Sequence, residues 1–209
     1  MVLSEDSLCL DPLEIEVASI ALGDAEVSGD RFCVIPAPGG VLVAVIDGLG
    51  HGAEAAEASA RACEALTGAS EQSLPTIIER CHAALRRTRG AVIALARFAR
   101  SSSDMQWLAV GNVEGLLLHG SRRGADREAI VQRPGIVGHG LPGLMASTLS
   151  VAVGDTLVLA TDGLERGFGQ ALTSGRARPT EGAGALLRLF ATGTDDALLL
   201  LAHYVGEAT

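Results

Sequence analysis

The sequence predicts an α+β fold, and three observations carry that reading. Two helix-like stretches follow one another between residues 53 and 88, a run of antiparallel-looking strands comes next, and the chain closes on one helix and one strand. This order differs from the alternating βαβ pattern of a doubly wound sheet. Hydrophobic residues make up 48% of the 209, with a mean hydropathy of +0.33, enough to bury a sizeable core and to exclude intrinsic disorder. No linker, repeat or low-complexity segment interrupts the pattern, so one domain over 1–209, with no separate regulatory domain, is expected.

Each element has its own signal. Leu13 to Leu22 alternates apolar and polar residues, as a half-buried strand does. After a turn over Asp24–Asp30, Arg31–Ile35 and Val41–Ile46 form a hairpin around Pro36–Gly40. Ala53–Leu66 is Ala-rich and helical. Ser73–Thr88 is a second helix, with Ser73 as N-cap, Pro75 in the first turn, Arg86, Arg87 and Arg89 near the C-terminal dipole, and Gly90 ending it. Strands are expected at Ala91–Arg97, Gln106–Val110, Gly115–His119, Glu128–Gln132, Ala146–Val153 and Thr156–Ala160, with a Gly-rich loop over Gly135–Gly143. A helix around Gly182–Ala191 and a strand over Ala197–Tyr204 close the chain.

Composition removes several function classes. All sixteen basic residues are Arg, so a Schiff-base lysine and a Walker-type phosphate lysine are both excluded. A net charge of −9 without a basic tract argues against nucleic acid or an anionic membrane as partner. At 3% aromatic content, base-stacking platforms are excluded too. Cys9, Cys33, Cys63 and Cys81 show no CxxC spacing and read as buried, reduced thiols. The acidic N-terminus is unlike a signal peptide, and no apolar stretch approaches eighteen residues, so a cytoplasmic protein is expected.

The chemistry lies in aspartates at the ends of apolar strands. Asp47 ends VLVAVIDGLGHG, Asp162 ends TLVLATDG, Asp195 and Asp196 precede the last strand in GTDDALLLL, and Asp30 opens a strand in VSGDRF. Carboxylates beside an apolar core are costly unless something compensates them. A hard divalent cation does so, and Asp oxygens with Gly carbonyls suit Mg²⁺ or Mn²⁺. Any one of these aspartates alone would fit a turn, as Asp155 in VGDT does. The GLGHG run suggests a nucleotide loop, but its G-x-G-x-G spacing differs from G-x-G-x-x-G and Asp47 would repel a pyrophosphate.

Gly29-Asp30, IDGLGHG at 46–52, ATDG at 160–163 and GTDDA at 193–197, in that order, resemble the metal-dependent serine/threonine phosphatases of type 2C. Within them the set is similar to the small bacterial SpoIIE-type branch, over a core of about 14–205. LRRTRGAV at 85–92, GNV at 111–113 and GIVGHGLP at 135–142 are similar to one sub-branch, the RsbX-like stressosome phosphatases. The resemblance implies a four-layer α-β-β-α sandwich, two mostly antiparallel sheets flanked by helices, with metals at one sheet edge. It implies that Asp47 bridges two cations, Mn²⁺ or Mg²⁺, and that the carbonyl of Gly48 binds one of them. Asp162 and Asp195 would complete one metal site, with Asp196 in reserve, and Asp30 would hold the other directly or through water.

Such a pair of cations acidifies a bound water, which attacks phosphorus without a phosphoenzyme. The partners the resemblance implies are phosphorylated STAS-domain proteins, either a stressosome scaffold or a smaller anti-sigma-factor antagonist, met by a monomeric enzyme. A phosphoprotein-binding pseudo-phosphatase would have lost Asp47 or Asp162, and both are present. No Arg precedes Arg31 to play the phosphate-binding role of the larger relatives. His51 stands beside the metal loop as either an acid or a loop residue, and Arg86, Arg87, Arg89, Arg122 and Arg123 are candidates for local charge relief at a docking surface.

Overall fold

The strand Gly40–Gly48 shows how the layers arise. Val41, Val43 and Val45 point to one side and Leu42, Ala44 and Ile46 to the other, and all six are fully buried. A strand apolar on both faces needs cover on both. In the computed structural model, which describes residues 3–23, 27–37, 39–120 and 127–206, a second sheet covers one face and a pair of helices the other.

In chain order the strands are β1 (Leu3–Leu10), β2 (Leu13–Ile20), β3 (Asp30–Ala37), β4 (Gly40–Gly48), β5 (Ala91–Ala99), β6 (Asp104–Val110), β7 (Glu114–Leu118), β8 (Arg127–Ala129), β9 (Gln132–Arg133), β10 (Ser147–Ser150), β11 (Thr156–Ala160) and β12 (Ala197–Tyr204). The helices are α1 (Ala53–Thr67), α2 (Leu74–Leu85), α3 (Phe168–Thr173) and α4 (Ala183–Phe190). One sheet runs β1-β2-β12-β11-β7-β8, the other β10-β6-β5-β4-β3. Every pairing is antiparallel except the short β6–β9 contact.

Three apolar layers follow from this order. Between the sheets, Leu13, Ile15 and Val17 of β2 meet Val41, Val43 and Val45 of β4, with Phe98, Trp107, Leu198 and Leu200. Outside the second sheet, α1 and α2 set Ala58, Ala62, Leu66, Ile77, Ile78 and Cys81 on Leu42, Ala44 and Ile93. Outside the first, α3 and α4 set Phe168, Leu186 and Leu187 on Val158, Leu199 and Leu201. The four-layer sandwich is therefore realised.

Several local expectations need correction. Cys33 on β3 and Cys63 on α1 are not free thiols: packing of α1 on β3 brings their Cα atoms to 6.4 Å, and they form a disulfide. Cys9 is exposed on β1, and only Cys81 is the buried thiol expected. α2 ends at Leu85, before Gly90, because the Thr88 amide and hydroxyl both donate to the Leu85 carbonyl (2.9 and 2.8 Å). Arg86, Arg87 and Arg89 therefore follow the helix. The 128–132 strand is two short ones, and 146–153 keeps only Ser147–Ser150. Arg122, Arg123 and parts of the two early turns lie outside the described residues. Asp155 does stand in a turn; it is buried and accepts from the amides of Gly120 and Ala152 (3.1 and 3.0 Å).

Trp107 is 1% exposed between the sheets, with its indole N–H donating to the Val131 carbonyl at 3.2 Å. Trp107→Ala is expected to lower the unfolding free energy by about 3–5 kcal/mol. Urea denaturation checks this as a fall in midpoint at unchanged slope.

Candidate metal centre

The site is built where the same end of both sheets meets. Asp30, the first residue of β3, is paired directly with Asp47 near the end of β4. Asp162 stands two residues beyond β11, and Asp195 and Asp196 stand just before β12, its hydrogen-bonded neighbour. Both sheets thus deliver carboxylates to one edge.

Glycines let the chain close in around them. A Cβ on Gly48 would sit 2.2 Å from the Ala55 carbonyl oxygen of α1, so only glycine lets that helix approach. A Cβ on Gly163 would sit 2.0 Å from the carbonyl oxygen of Asp196, which fixes the Asp162 turn against the Asp195-Asp196 turn in the same way.

The predicted residues divide into two groups. Asp47, Asp162 and Asp195 line a cleft of about 600 Å³, together with Leu49, Asn112 and Gln132. Asp30 and Gly48 are buried behind it and do not line it. Asp196 takes a third position: one carboxylate oxygen accepts from the Leu22 amide and the other from the Gly29 amide, each at 2.7 Å. Both of its oxygens are committed to the backbone, whereas its neighbour Asp195 faces the cleft. His51 is exposed and lies off the cleft.

Two residues here were not singled out from sequence. Thr161 donates its hydroxyl to Asp30 at 2.7 Å and accepts from the Leu198 amide at 2.8 Å. Asn112 donates its side-chain N–H to Asp162 at 2.9 Å. Both lie inside quoted motifs, ATDG and GNV, and their chemistry was the available signal.

Electrostatics sets the demand of the site. Burial pushes the Asp47 carboxyl up to about 7, and the charges of Asp162, Asp195 and Asp196 add to the rise. Asp30 is raised well above the carboxylate range, by burial first and by Asp47 next, against the lowering effect of Thr161. Among the described residues no Arg or His lines the cleft. Nor do any three acidic, His or Cys side chains close on one point tightly enough to cage an ion as they stand. An open cleft of oxygen donors with uncompensated negative charge fits a hard cation that also keeps waters.

A four-layer sandwich with its carboxylates at one sheet end defines the PP2C-type phosphatase fold. A family model, Stage II sporulation protein E (SpoIIE), matches residues 37–204, and the chain belongs to that family of PP2C-type domains. Over 91 residues it is 31% identical to the phosphoserine phosphatase RsbX of Bacillus subtilis (strain 168). That match spans 44% of this chain and 46% of RsbX, about half the length of the curated relative. A chain from a structural study of the bacterial stressosome, described as a modular system adapted to control secondary messenger signaling, is 30% identical. It superposes with a TM-score of 0.78 over 91% of this chain and 99% of that one. RsbX in complex with magnesium, at 22% identity, matches with a TM-score of 0.82 over 96% of this chain and 99% of that one, a likeness of fold. Among the described residues no helix is long and apolar enough to cross a membrane.

The raised carboxyls give a pH dependence with a definite sign. Folded Asp47 holds its proton up to about 7 and the unfolded chain only to 3.8, so the folded state binds more protons in that window. Stripped of divalent ions, the protein is expected to lose stability as pH rises from 3.8 to about 7. Asp47→Asn should flatten that slope, and added Mg²⁺ should raise the melting temperature of wild type only. Thermal melts across this range, with and without EDTA, check both.

Proposed function

We propose that this chain is a single-domain, monomeric, cytoplasmic phosphoserine/phosphothreonine protein phosphatase dependent on Mn²⁺ or Mg²⁺. Its substrates in this reading are phosphorylated STAS-domain proteins of a stressosome scaffold, in a sigma-factor stress-response pathway. The observation that carries the reading is the convergence of Asp47, Asp162 and Asp195, from both sheets, on a cleft lined by no Arg or His among the described residues. The likeness to RsbX and to a stressosome chain supports the substrate class.

Asp47, Asp162 and Asp195 would hold the cations from the cleft, with the Gly48 carbonyl and Asp30 as the donors behind them. When bound, two divalent cations supply an acidified water as nucleophile and charge neutralisation for the phosphoryl oxygens. The chain supplies orientation. Asn112 fixes the rotamer of Asp162, Thr161 fixes that of Asp30, and the backbone clamp of Asp196 aims Asp195 outward. Behind them the β-strand ends are fully buried, so the carboxylates sit on a dry, rigid base. Covalent thiol catalysis by Cys81 is excluded, because burial pushes its thiol up to about 12.

The test is p-nitrophenyl phosphate hydrolysis by metal-stripped protein, with Mg²⁺ or Mn²⁺ added back. One or both ions should restore turnover to wild type, and Asp47→Asn should stay lower by roughly 100-fold or more. Release of phosphate from a phosphorylated STAS-domain protein then checks the substrate. Absence of turnover with either ion would refute the catalytic reading.

A further inference from the structure

The cleft also has lining of a different chemistry. Besides its carboxylates it is lined by Leu49, Val92, Pro134 and Ile136. Pro134 and Ile136 belong to the Gly-rich stretch GIVGHGLP and its approach, which the metal site leaves unused.

That stretch is a fixed wall and not a loose lid. Val137 and Ala91 exchange two backbone hydrogen bonds (3.0 and 2.9 Å), which join the wall to β5. Ile136 and Gly140 exchange two more, both at 3.0 Å. The Gly138 amide donates to His82 Nδ1 on α2 at 3.0 Å, and His139 Nε2 lies 3.0 Å from the Arg89 carbonyl oxygen. A Cβ on Gly135 would meet the Gly140 carbonyl oxygen and Pro142 at 2.9 Å each, so the turn is packed to its limit. Two of the five histidines thus serve to anchor this wall.

A rigid apolar surface open to water, continuous with a charged site, is stabilised when a ligand covers it. A bare phosphate ester would meet the carboxylates of a 600 Å³ cleft and leave Leu49, Pro134 and Ile136 uncovered. A polypeptide substrate has a side chain to place on them, next to the phosphorylated residue. We propose that Leu49, Pro134 and Ile136 form a specificity subsite for an apolar side chain flanking the phosphoserine or phosphothreonine of a protein substrate, with buried Val92 as its floor. This rests on the phosphatase reading of the carboxylates.

The test uses two phosphoserine peptides identical except for Leu or Asn beside the phosphoserine. Wild type with Mn²⁺ or Mg²⁺ should favour the Leu peptide by roughly tenfold in kcat/KM, the usual discrimination of an apolar pocket. Ile136→Asn should bring the two within about twofold, and Leu49→Asn provides a second variant should the first fail to fold. Equal rates in wild type, or a preference that survives in both folded variants, would overturn the proposal while leaving the phosphatase reading intact. If neither peptide is hydrolysed with either ion, the phosphatase reading has failed and methyl NMR of metal-free protein decides the subsite. Shifts at Leu49 and Ile136 with the unphosphorylated Leu peptide, absent with the Asn peptide, would uphold it as a binding surface. Their absence would overturn it.

Discussion

Two short hydrogen-bond sets tie the sheets together at one end, and the site depends on them. Thr161, just beyond β11, donates to Asp30 at the start of β3. Asp196, just before β12, accepts from Gly29, the residue ahead of Asp30. Each link joins one sheet to the other, and all four partners are adjacent to a site carboxylate or are one. Apolar contact between the sheets is non-directional and leaves the orientation of polar groups at the sheet ends free. Hydrogen bonds at 2.7 Å are directional and remove that freedom where the carboxylates converge.

This fixed frame explains why negative charge is tolerated at an apolar edge. The carboxylates are held by backbone amides, a hydroxyl and an amide side chain, none of which carries a positive charge. Those groups orient the oxygens without neutralising them, and the repulsion persists in the raised Asp30 and Asp47 carboxyls. The charge left unneutralised is of the sign and kind that a hard divalent cation would compensate. The chain's membership of the SpoIIE family is consistent with that demand.

Much of this was legible in the sequence, for physical reasons that also mark where legibility stops. β11 and β12 fall at the expected residues because continuous apolar runs between Asp-Gly and Asp-Asp turns leave little choice. β1 was missed because Leu3–Leu10 is an edge strand with six exposed residues between two half-buried ends, so it shows no apolar alternation. α3 was missed because Gly167 and Gly169 weaken it locally, while its stability comes from Phe168 packing edge-on against Phe190, 5.2 Å away. The Cys33–Cys63 pair was misread because 30 residues separate it in sequence, and only the seating of α1 on β3 brings it together. Placing five aspartates at strand ends was a matter of spacing; sorting them into cleft and clamp required knowing where each oxygen points.

The adjacent pair Asp195-Asp196 carries a consequence for descent. Within this turn one aspartate looks into the cleft, while the other accepts from the Leu22 and Gly29 amides of the frame. The acid that faces the cleft and the acid that holds the frame are therefore genetically separate, one codon apart. Losing the first leaves the hydrogen bonds of the frame in place, whereas losing the second removes the acceptor of the Leu22 and Gly29 amides. The two positions are therefore open to change independently of one another.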